Sequence, residues 1–288
     1  MMMIMKPWAL NQLIRRALSE DAVNNDITTN SLIPKNHVSQ ATIIVKEEAI
    51  VCGLKVAERV FRQLEPKIHF EAWYEDGSRA RRNSIIAKIR GKTRTILTGE
   101  RVALNFLTYL SGIATDTKKF VQKVSETKAR ILDTRKTTPG LRLLEKYAVK
   151  CGGGHNHRPD LSQLVLIKDN HRDVCRPLMS IPKIIELARR KTKKTIEIEV
   201  DTLTQFKEAL PAVPDIILLD NMTCQQMRQA VAIARKLPEK KRPILEASGG
   251  ITLRNVEKVA LTGVDCISIG SLTHTHNGID VSLELINV

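Results

Sequence analysis

Six short apolar segments, each ending in polar residues, alternate with helical patterns over the second half of the chain. The segments are ARILDTRK (129–136), QLVLIKDNH (163–171), KTIEIEVD (194–201), PDIILLDN (214–221), RPILEASGG (242–250) and DCISIGSLTH (265–274). Strand–helix alternation at this spacing indicates βα units around a parallel sheet. Because the units occur without a dinucleotide-binding fingerprint, they favour a closed or nearly closed barrel over a doubly wound sheet.

The predicted strands end in charged or small polar residues, at the edge where barrel enzymes carry their active sites. In chain order these residues are Arg135 and Lys136, Lys168 and Asp169, Glu197 and Glu199, Asp220 and Asn221, Glu246 and Ser248, and then Gly270, Ser271 and His274. Any one of them is more simply explained as an ordinary loop residue, but that explanation is poor for the whole set. The pattern predicts a cationic site for an anionic, phosphorylated substrate.

Two glycine-bearing turns follow the last two predicted strands. ASGGIT (247–252) ends one strand and is predicted to open a helix, whose free N–H groups and dipole favour an anion. Gly270 and Ser271 stand at the corresponding place in the next unit. Since the last two strands of a barrel often build a phosphate site, these turns predict one here.

The earlier strand ends are cationic. Arg135 and Lys168, with the segment HNHRPD (155–160) between them, combine the flat guanidinium fork with the point charge of an ammonium group. This combination suits a ligand with two carboxylates. His155 and His157 have the spacing of a metal-ligand pair, but no third histidine is near them in sequence, so a metal site there is not favoured.

Acidic residues end the next two strands. Side chains alternate along a strand, so Glu197 and Glu199 share one face, and Asp220 follows one strand later. Such carboxylates can bind Mg²⁺, hold ribose hydroxyls or act as acid and base. One of the two glutamates is expected to act indirectly or to pair with a lysine.

The first hundred residues predict a mixed α+β region. A helix is expected near 8–20, a turn at 26–29, strands at 41–53, 67–74 and 84–98, and a helix between the first two strands. The strands alternate polar and apolar residues, as in a sheet with one solvated face. From Gly99 the pattern becomes that of one or two helices.

The net charge of +15 leaves two explanations open, a polyanion-binding surface and a pocket that neutralises an anionic substrate. The basic runs 188–195 and 235–243 lie at predicted helix ends, where cations are favourable and solvated. A nucleic-acid-binding protein would show salt-sensitive affinity and would give the acidic strand ends no role. We therefore expect no nucleic-acid partner.

Five scattered cysteines without a CxxC pair predict reduced thiols rather than a zinc site or a disulfide framework. The N-terminal segment lacks the pattern of a signal peptide, and no run approaches the ~20 apolar residues of a membrane span. We expect a cytoplasmic protein without a membrane partner.

Taken together, the motifs resemble the quinolinate phosphoribosyltransferase family. The resemblance rests on DTRKTTPGLRLLEKYAVKCGGGHNHR, LIKDNH, EIEVD, ILLDN, EASGGI and SIGSLTH, and upstream on EDAVNNDITT and GERVALNFLTYLSGIAT. It runs from about residue 10 to 285. It implies an α/β fold with an incomplete parallel barrel over 113–274 and an N-terminal open-faced α+β sandwich over 1–112, joined by residues 275–288. It also implies a homodimer with shared active sites, or a hexamer built from that dimer.

The resemblance also assigns residues to substrates. Quinolinate would be bound by a largely cationic set: Thr134, Arg135, His157, Arg158 and Lys168, with Arg101 from the neighbouring subunit. Phosphoribosyl pyrophosphate would be bound by Lys136, Glu199, Asp220, Ser248, Gly249, Gly250, Ile269, Gly270, Ser271 and His274. Glu199 and Asp220 would hold Mg²⁺, directly or indirectly, and act with Lys136 in catalysis.

The implied reaction joins the quinolinate ring nitrogen to C1′ of the sugar, releases pyrophosphate and loses the 2-carboxylate as CO₂. The product is nicotinate mononucleotide, an intermediate of NAD biosynthesis. The chain has no Ser-His-Asp or Cys-His signature, and this reaction requires no enzyme nucleophile. A paralogue associated with molybdenum transport shares the fold and most of the motifs; the complete set Arg135, His157, Arg158 and Lys168 favours quinolinate.

Overall fold

The computed structural model describes residues 6–175, 178–275 and 277–286. Its helices are α1 (Pro7–Glu20), α2 (Ile27–Leu32), α3 (Leu54–Leu64), α4 (Thr93–Lys123), α5 (Arg142–Cys151), α6 (Asp169–Cys175), α7 (Ile181–Lys191), α8 (Leu203–Ala209), α9 (Cys224–Arg235), α10 (Val256–Ala260) and α11 (Ser271–His274). Its strands are β1 (Val38–Val45), β2 (Ala49–Ile50), β3 (His69–Ala72), β4 (Arg79–Ala80), β5 (Ile85–Lys92), β6 (Arg130–Leu132), β7 (Val165–Ile167), β8 (Ile196–Val200), β9 (Ile216–Asp220), β10 (Ile244–Ser248), β11 (Cys266–Ser268) and β12 (Val281–Ile286). Short 3₁₀ helices occupy Val23–Asn25, Leu210–Ala212 and Glu239–Lys241.

Strands β6 to β11 form one parallel sheet in the order β6-β11-β10-β9-β8-β7. All five residues of β8 are buried, as expected for a parallel strand with both faces covered. The sheet begins at β6 and ends at β7, so the ring predicted from the sequence is an incomplete barrel. The prediction of six βα strands is confirmed.

A second sheet is antiparallel, in the order β12-β1-β5-β3. Along β1 the side chains of Ala41, Ile43 and Val45 are fully buried, as the alternating pattern predicts. Helices α1 and α3 pack against each other, and their apolar faces bury Leu10, Ile14 and other core residues. Val281 pairs with Val45 across β12 and β1, so the C-terminal segment completes this N-terminal sheet, as the family resemblance implied.

Several predicted N-terminal elements differ in extent. The expected turn at 26–29 is the start of α2, because the Asp26 carboxylate accepts the Thr29 N–H at the helix N-terminus. The expected strand 84–98 ends at Lys92, where α4 begins as one unbroken helix. The first residue of α4, Thr93, turns inward and its hydroxyl lies 2.6 Å from that of Ser39. The predicted strand 41–53 is divided between β1 and β2.

Packing divides the chain into two compact units. The first unit comprises the described residues within 1–118, 137–153 and 272–288, and the second comprises 119–136 and those within 154–271. The sequence prediction put the boundaries at 112/113 and 274/275 and placed α5 in the barrel domain. The packing differs because α4 continues through residue 113 and because α5 belongs to the first unit.

In the part of the chain that the structure describes, none of the helices combines the length and the apolar character needed to cross a membrane.

Candidate active site

The candidate site lies at the carboxyl edge of the parallel sheet in the second unit. Because Ser248 pairs with Asp220 and Val200 with Leu219, the ends of β8, β9 and β10 lie side by side. Of the predicted site residues, Arg101 and His274 belong to the first unit. The other predicted residues belong to the second unit: His157 and Arg158 lie in the loop before β7, and the rest lie at or after the ends of its strands.

Two arginines form the centre of a cationic group. Arg135 follows β6, and Arg158 lies in the loop after residue 154; both are half-buried. Burial lowers the pKa of the Arg158 guanidinium, and the nearby charge of Arg135 lowers it further. The Arg158 guanidinium donates to the Leu164 carbonyl at 3.2 Å. Two like charges that influence each other in this way favour a ligand with negative charge.

Lys168 extends this cationic group toward the acidic one. It follows β7, is exposed, and its Nζ lies 3.2 Å from Glu199 Oε2. Lys136 is also exposed, and its backbone N–H donates to the Thr134 hydroxyl at 3.0 Å. The expectation that one of the two β8 glutamates pairs with a lysine is therefore confirmed for Glu199.

An acidic group stands at the ends of β8 and β9. One carboxylate oxygen from each of Glu199, Asp201 and Asp220 can be chosen so that all lie within 4.8 Å of one another. The Asn221 amide donates to Asp220 at 2.7 Å, and Arg172 lies 3.0 Å from Asp201. Converging carboxylate oxygens are the donor set that Mg²⁺ prefers, so these residues fit that ion.

A buried carboxyl pair lies next to His157. Glu197 on β8 and Glu246 on β10 are almost completely buried, and both face the His157 ring. Nε2 of His157 is 3.0 Å from Glu197 Oε2 and 3.7 Å from Glu246 Oε2. Burial, and secondly the charge of Glu197, raise the pKa of Glu246 to about 7. Thus Glu197 belongs to a cluster with His157 and Glu246, whereas Glu199 and Asp220 belong to the acidic group.

Asp133 holds the His157 loop against β6. This fully buried residue accepts the His157 N–H at 2.8 Å and the Asn156 side-chain amide at 2.5 Å. His155 forms a parallel bridge to Leu132. The HNHR segment is therefore fixed by backbone pairing and by one carboxylate.

The turn after β10 requires glycine at one position. Gly249 has φ +91°, and a Cβ there would lie 2.2 Å from the Asn221 side-chain oxygen. Gly250 also has positive φ, at +59°, but open space surrounds its Cβ position. The predicted helix start at this turn was wrong: α10 begins only at Val256, because the Asn255 side chain bonds the Gly250 carbonyl and the Thr252 N–H in an intervening turn.

The turn after β11 starts a helix at once. The Ile269 N–H donates to the Leu132 carbonyl at 3.0 Å, Gly270 follows, and Ser271 is the first residue of α11. This agrees with the expected small-residue turn before a helix.

The two remaining predicted residues are exposed in the first unit. Arg101 lies on α4, and the His274 ring lies at the end of α11 with Nδ1 2.6 Å from the Thr275 hydroxyl. Their predicted roles in binding substrate stay predictions.

Sequence reasoning gave no role to Glu246, Asp133 or Asp201. Glu246 was recognised as a strand-end residue, and its alternation with Ser248 could have shown that it faces the barrel interior. Asp133 directly follows the apolar segment RIL, where a polar residue normally marks the solvent-exposed end of a strand, so nothing in the sequence pattern predicts that it is buried. Asp201 continues the same-face series of Glu197 and Glu199.

Two family models match the chain. Residues 26–111 match "Quinolinate phosphoribosyl transferase, N-terminal domain" and residues 113–284 match "Quinolinate phosphoribosyl transferase, C-terminal domain". A probable nicotinate-nucleotide pyrophosphorylase [carboxylating] of Synechocystis is 38% identical over 288 residues, covering 99% of this chain and 96% of the relative. The nicotinate-nucleotide pyrophosphorylase [carboxylating] of Mycobacterium leprae is 38% identical over 280 residues, with coverage of 96% and 97%.

Solved structures agree along nearly the whole chain. The nicotinate-nucleotide pyrophosphorylase from Ehrlichia chaffeensis superposes with a TM-score of 0.90 at 40% identity, covering 99% of this chain and 100% of that one. The one from Francisella tularensis has a TM-score of 0.90 at 38% identity, covering 98% of each chain.

Proposed function

The chain belongs to the quinolinate phosphoribosyltransferase family, and we propose that it transfers the phosphoribosyl group of phosphoribosyl pyrophosphate to quinolinate with decarboxylation. The enzyme is a pentosyltransferase, and its products are nicotinate mononucleotide, CO₂ and pyrophosphate. The observation that carries this proposal is the division of one sheet edge into a cationic part, around Arg135 and Arg158, and an acidic part, around Glu199 and Asp220.

The cationic part suits the dicarboxylate. The positive charge of Arg135 acts unfavourably on Arg158, so an anion is favoured beside them, and a planar carboxylate fits the guanidinium fork. Lys168 supplies a point charge at the next strand end, and Thr134 a hydroxyl. We assign these residues to quinolinate. The His157 ring directs Nε2 at Glu197 and positions the loop that carries Arg158, and its contact with quinolinate stays a prediction.

The acidic part and the glycine turns suit the sugar phosphate. Ser248, Gly249 and Gly250 place backbone groups at the end of β10, and Ile269, Gly270 and Ser271 do so at the end of β11. We assign these turns, with Lys136 and His274, to phosphoribosyl pyrophosphate. Glu199 and Asp220, with Asp201 beside them, would hold Mg²⁺. When bound, Mg²⁺ neutralises charge on the pyrophosphate leaving group.

The residues bind and orient the reactants, and none acts as a nucleophile. The quinolinate nitrogen attacks C1′ while the C1′–pyrophosphate bond breaks, and positive charge develops on the sugar. Carboxylates of Glu199 and Asp220 stabilise that charge, and the Lys136 ammonium stabilises the leaving pyrophosphate. The N-substituted pyridinium then stabilises the electron pair of the C2–carboxylate bond as CO₂ departs, and C2 takes up a proton from solvent in place of the lost carboxylate. Arg135 and Arg158 must therefore hold the dicarboxylate without retaining the group that leaves.

We assign Arg101 to the site of a neighbouring subunit in a homodimer, or in a hexamer assembled from dimers. The Arg101 side chain is exposed on α4, which leaves it available to a second copy. The five cysteines are all free thiols, which supports a cytoplasmic location.

The direct test is turnover. Purified protein is given quinolinate, phosphoribosyl pyrophosphate and Mg²⁺, and nicotinate mononucleotide is measured by chromatography. We expect product only when all three are present, and loss of product when the metal is chelated. Absence of product at high enzyme concentration would refute the proposed activity, and turnover of nicotinate in place of quinolinate would refute the substrate.

Lys168 provides the first mutational test. Lys168→Ala removes a cation of the quinolinate group and the partner of Glu199, so we expect kcat/KM for quinolinate to fall by about a hundredfold. Lys183→Ala removes an exposed lysine of α7 and should leave kcat/KM unchanged. Near-normal turnover by a folded Lys168→Ala variant would contradict the assignment.

The shared site is tested by mixing subunits. If Arg101 acts across the dimer, Arg101→Ala and Lys168→Ala subunits complement each other, because one site of each mixed dimer carries neither change. After unfolding and refolding together, the mixture should regain about a quarter of the parental activity. A mixture no more active than its components would place Arg101 in its own subunit's site.

A further inference from the structure

We propose that Glu246 is a positioning residue: together with Glu197 it fixes the His157 imidazole, and through it the Asn156–Arg158 loop that binds quinolinate. This inference rests on the proposed function for the substrate, and on the second unit alone for the geometry. Glu246 touches neither substrate in the assignments above, and the role is therefore indirect.

The tautomer of His157 follows from its backbone surroundings. The Arg158 N–H donates to His157 Nδ1 at 2.8 Å, so Nδ1 carries a lone pair and no proton. The ring proton is then on Nε2, which faces Glu197 Oε2 at 3.0 Å. Each ring nitrogen thus contacts a protein group: Nδ1 accepts the Arg158 N–H, which orients the backbone of Arg158, and Nε2 contacts the buried carboxyl pair.

One ring proton is too little for two buried carboxyl groups. Glu197 is fully buried and Glu246 is 1% exposed. His157 Nε2 lies 3.0 Å from Glu197 Oε2, whereas Glu197 Oε1 and Glu246 Oε1 have no hydrogen-bond partner among the described residues. Two charges this close in the barrel interior would repel strongly. One carboxylate oxygen of Glu246 lies within 4.8 Å of one of Glu197, so a proton on Glu246 removes one charge and places a donor beside Glu197. The raised pKa of Glu246 agrees with this arrangement.

The other groups around Glu246 do not replace that proton. Asp133, after β6, adds a further negative charge, and Ser268 on β11 offers a hydroxyl hydrogen bond. Cys266, also on β11, has its thiol pKa raised to about 12, chiefly by burial, so it stays neutral. Burial and the charge of Glu197 therefore favour the protonated form of Glu246.

The same three side chains have the spacing of a metal site, since one ligand atom from each of His157, Glu197 and Glu246 lies within 4.8 Å of the others. A metal would need the Nε2 lone pair. The Arg158 N–H fixes the tautomer in which Nε2 is protonated, so the cluster binds a proton rather than a metal.

Steady-state kinetics of three variants, measured below pH 7 where Glu246 keeps its proton, test the positioning role. Glu246→Gln keeps the shape and an N–H donor for Glu197, so its KM for quinolinate should stay within about twofold of the parent. Glu246→Ala removes the donor, and we expect KM for quinolinate to rise about tenfold, the effect of one lost buried hydrogen bond, with kcat and the KM for phosphoribosyl pyrophosphate nearly unchanged. Glu257→Gln, on the exposed face of α10, is the matched control and should behave as the parent.

The ring itself provides a readout that does not depend on activity. In protein labelled with ¹⁵N-histidine, the His157 signals, identified by their loss in His157→Gln, should show a pyridine-type Nδ1 and a protonated Nε2. Glu246→Gln should keep this pattern. A protonated Nδ1, or an Nε2 signal that shifts when Zn²⁺ or Mn²⁺ is added, would overturn the inference.

The outcomes separate this inference from the proposed function. Absence of turnover in the parent refutes the function, while the NMR pattern still decides the geometry. Normal turnover in the parent with an unchanged KM in Glu246→Ala overturns the positioning role and leaves the function standing. An equal rise in KM for quinolinate in Glu246→Gln and Glu246→Ala also overturns the positioning role, because the charge of Glu246 would then matter and its hydrogen-bond donor would not.

Discussion

The buried carboxyl group of Glu246 should make the stability of the second unit depend on pH. In the unfolded chain a glutamate titrates near 4.5, whereas burial and Glu197 raise the pKa of Glu246 in the fold to about 7. Between these values the folded protein keeps a proton that the unfolded chain has lost. Stability is therefore fully present below pH 4.5, decreases as the pH rises toward 7, and is constant above it.

The magnitude follows from the difference between the two pKa values. A difference of about 2.5 at 1.36 kcal/mol per unit corresponds to about 3 kcal/mol lost between pH 4.5 and pH 8. Glu246→Gln cannot titrate and should lack this loss. Relative to the parent, the variant should become more stable by up to about 3 kcal/mol as the pH rises.

The assay is urea unfolding followed by far-ultraviolet circular dichroism at several pH values for the parent, Glu246→Gln and the exposed control Glu257→Gln. Fluorescence would miss the effect, because both tryptophans and all three tyrosines belong to the first unit. Subtracting the control cancels the titration of all other groups. If the parent and Glu246→Gln have the same pH dependence, the proton on Glu246 and the reasoning built on it are wrong.

Two further pairs of substitutions have effects that follow from local contacts. Gly249→Ala should lower the free energy of unfolding by about 3 kcal/mol, because the new Cβ would overlap the Asn221 side chain and the residue has positive φ. Gly250→Ala also has positive φ but places its Cβ in open space, so it should cost about 1 kcal/mol. Equal losses for the two variants in urea unfolding would contradict the overlap at Gly249. Asp76→Ala should lower the free energy of unfolding by about 3 kcal/mol, because the carboxylate accepts hydrogen bonds from the Gly53 N–H, the Leu54 N–H and the Tyr147 hydroxyl. Tyr147→Phe removes only one of these bonds and should cost about 1 kcal/mol. Unfolding followed by tryptophan fluorescence measures both, and a loss in Asp76→Ala no larger than in Tyr147→Phe would contradict the role of the two backbone bonds.

The barrel was predictable because its signal is periodic and local. Each of the strands β6 to β11 is a short apolar run, and the rule that polar residues cluster at the carboxyl ends of parallel strands locates the site without any coordinates. The rule succeeds for Glu199 and Asp220, which the fold brings together. The rule does not distinguish the roles of Glu197 and Glu199, because alternation places both side chains on one face of β8. Their partners differ only because Glu197 lies deeper in the barrel, next to His157, whereas Glu199 lies near the strand end, next to Lys168.

Other features depend on contacts between distant segments, which a local pattern does not contain. The sequence predicts that α5 belongs to the barrel because it lies between two barrel strands, but its Tyr147 bonds Asp76 of the first unit. In the same way, the turn at Gly249 reads as a helix start, whereas Asn255 forms a separate turn before α10. The partner of Glu246 comes from a loop about ninety residues earlier in the chain.

The pairing of β12 with β1 has a consequence for the order in which the protein forms during synthesis. The barrel unit is complete when residue 271 has been made, but the edge of β1 is covered only after Val281–Ile286 leave the ribosome. At roughly 5–20 residues per second, β1 waits more than ten seconds for its partner. The N-terminal sheet is thus completed after the barrel unit, and its open edge is the segment that a chaperone would have to shield until then.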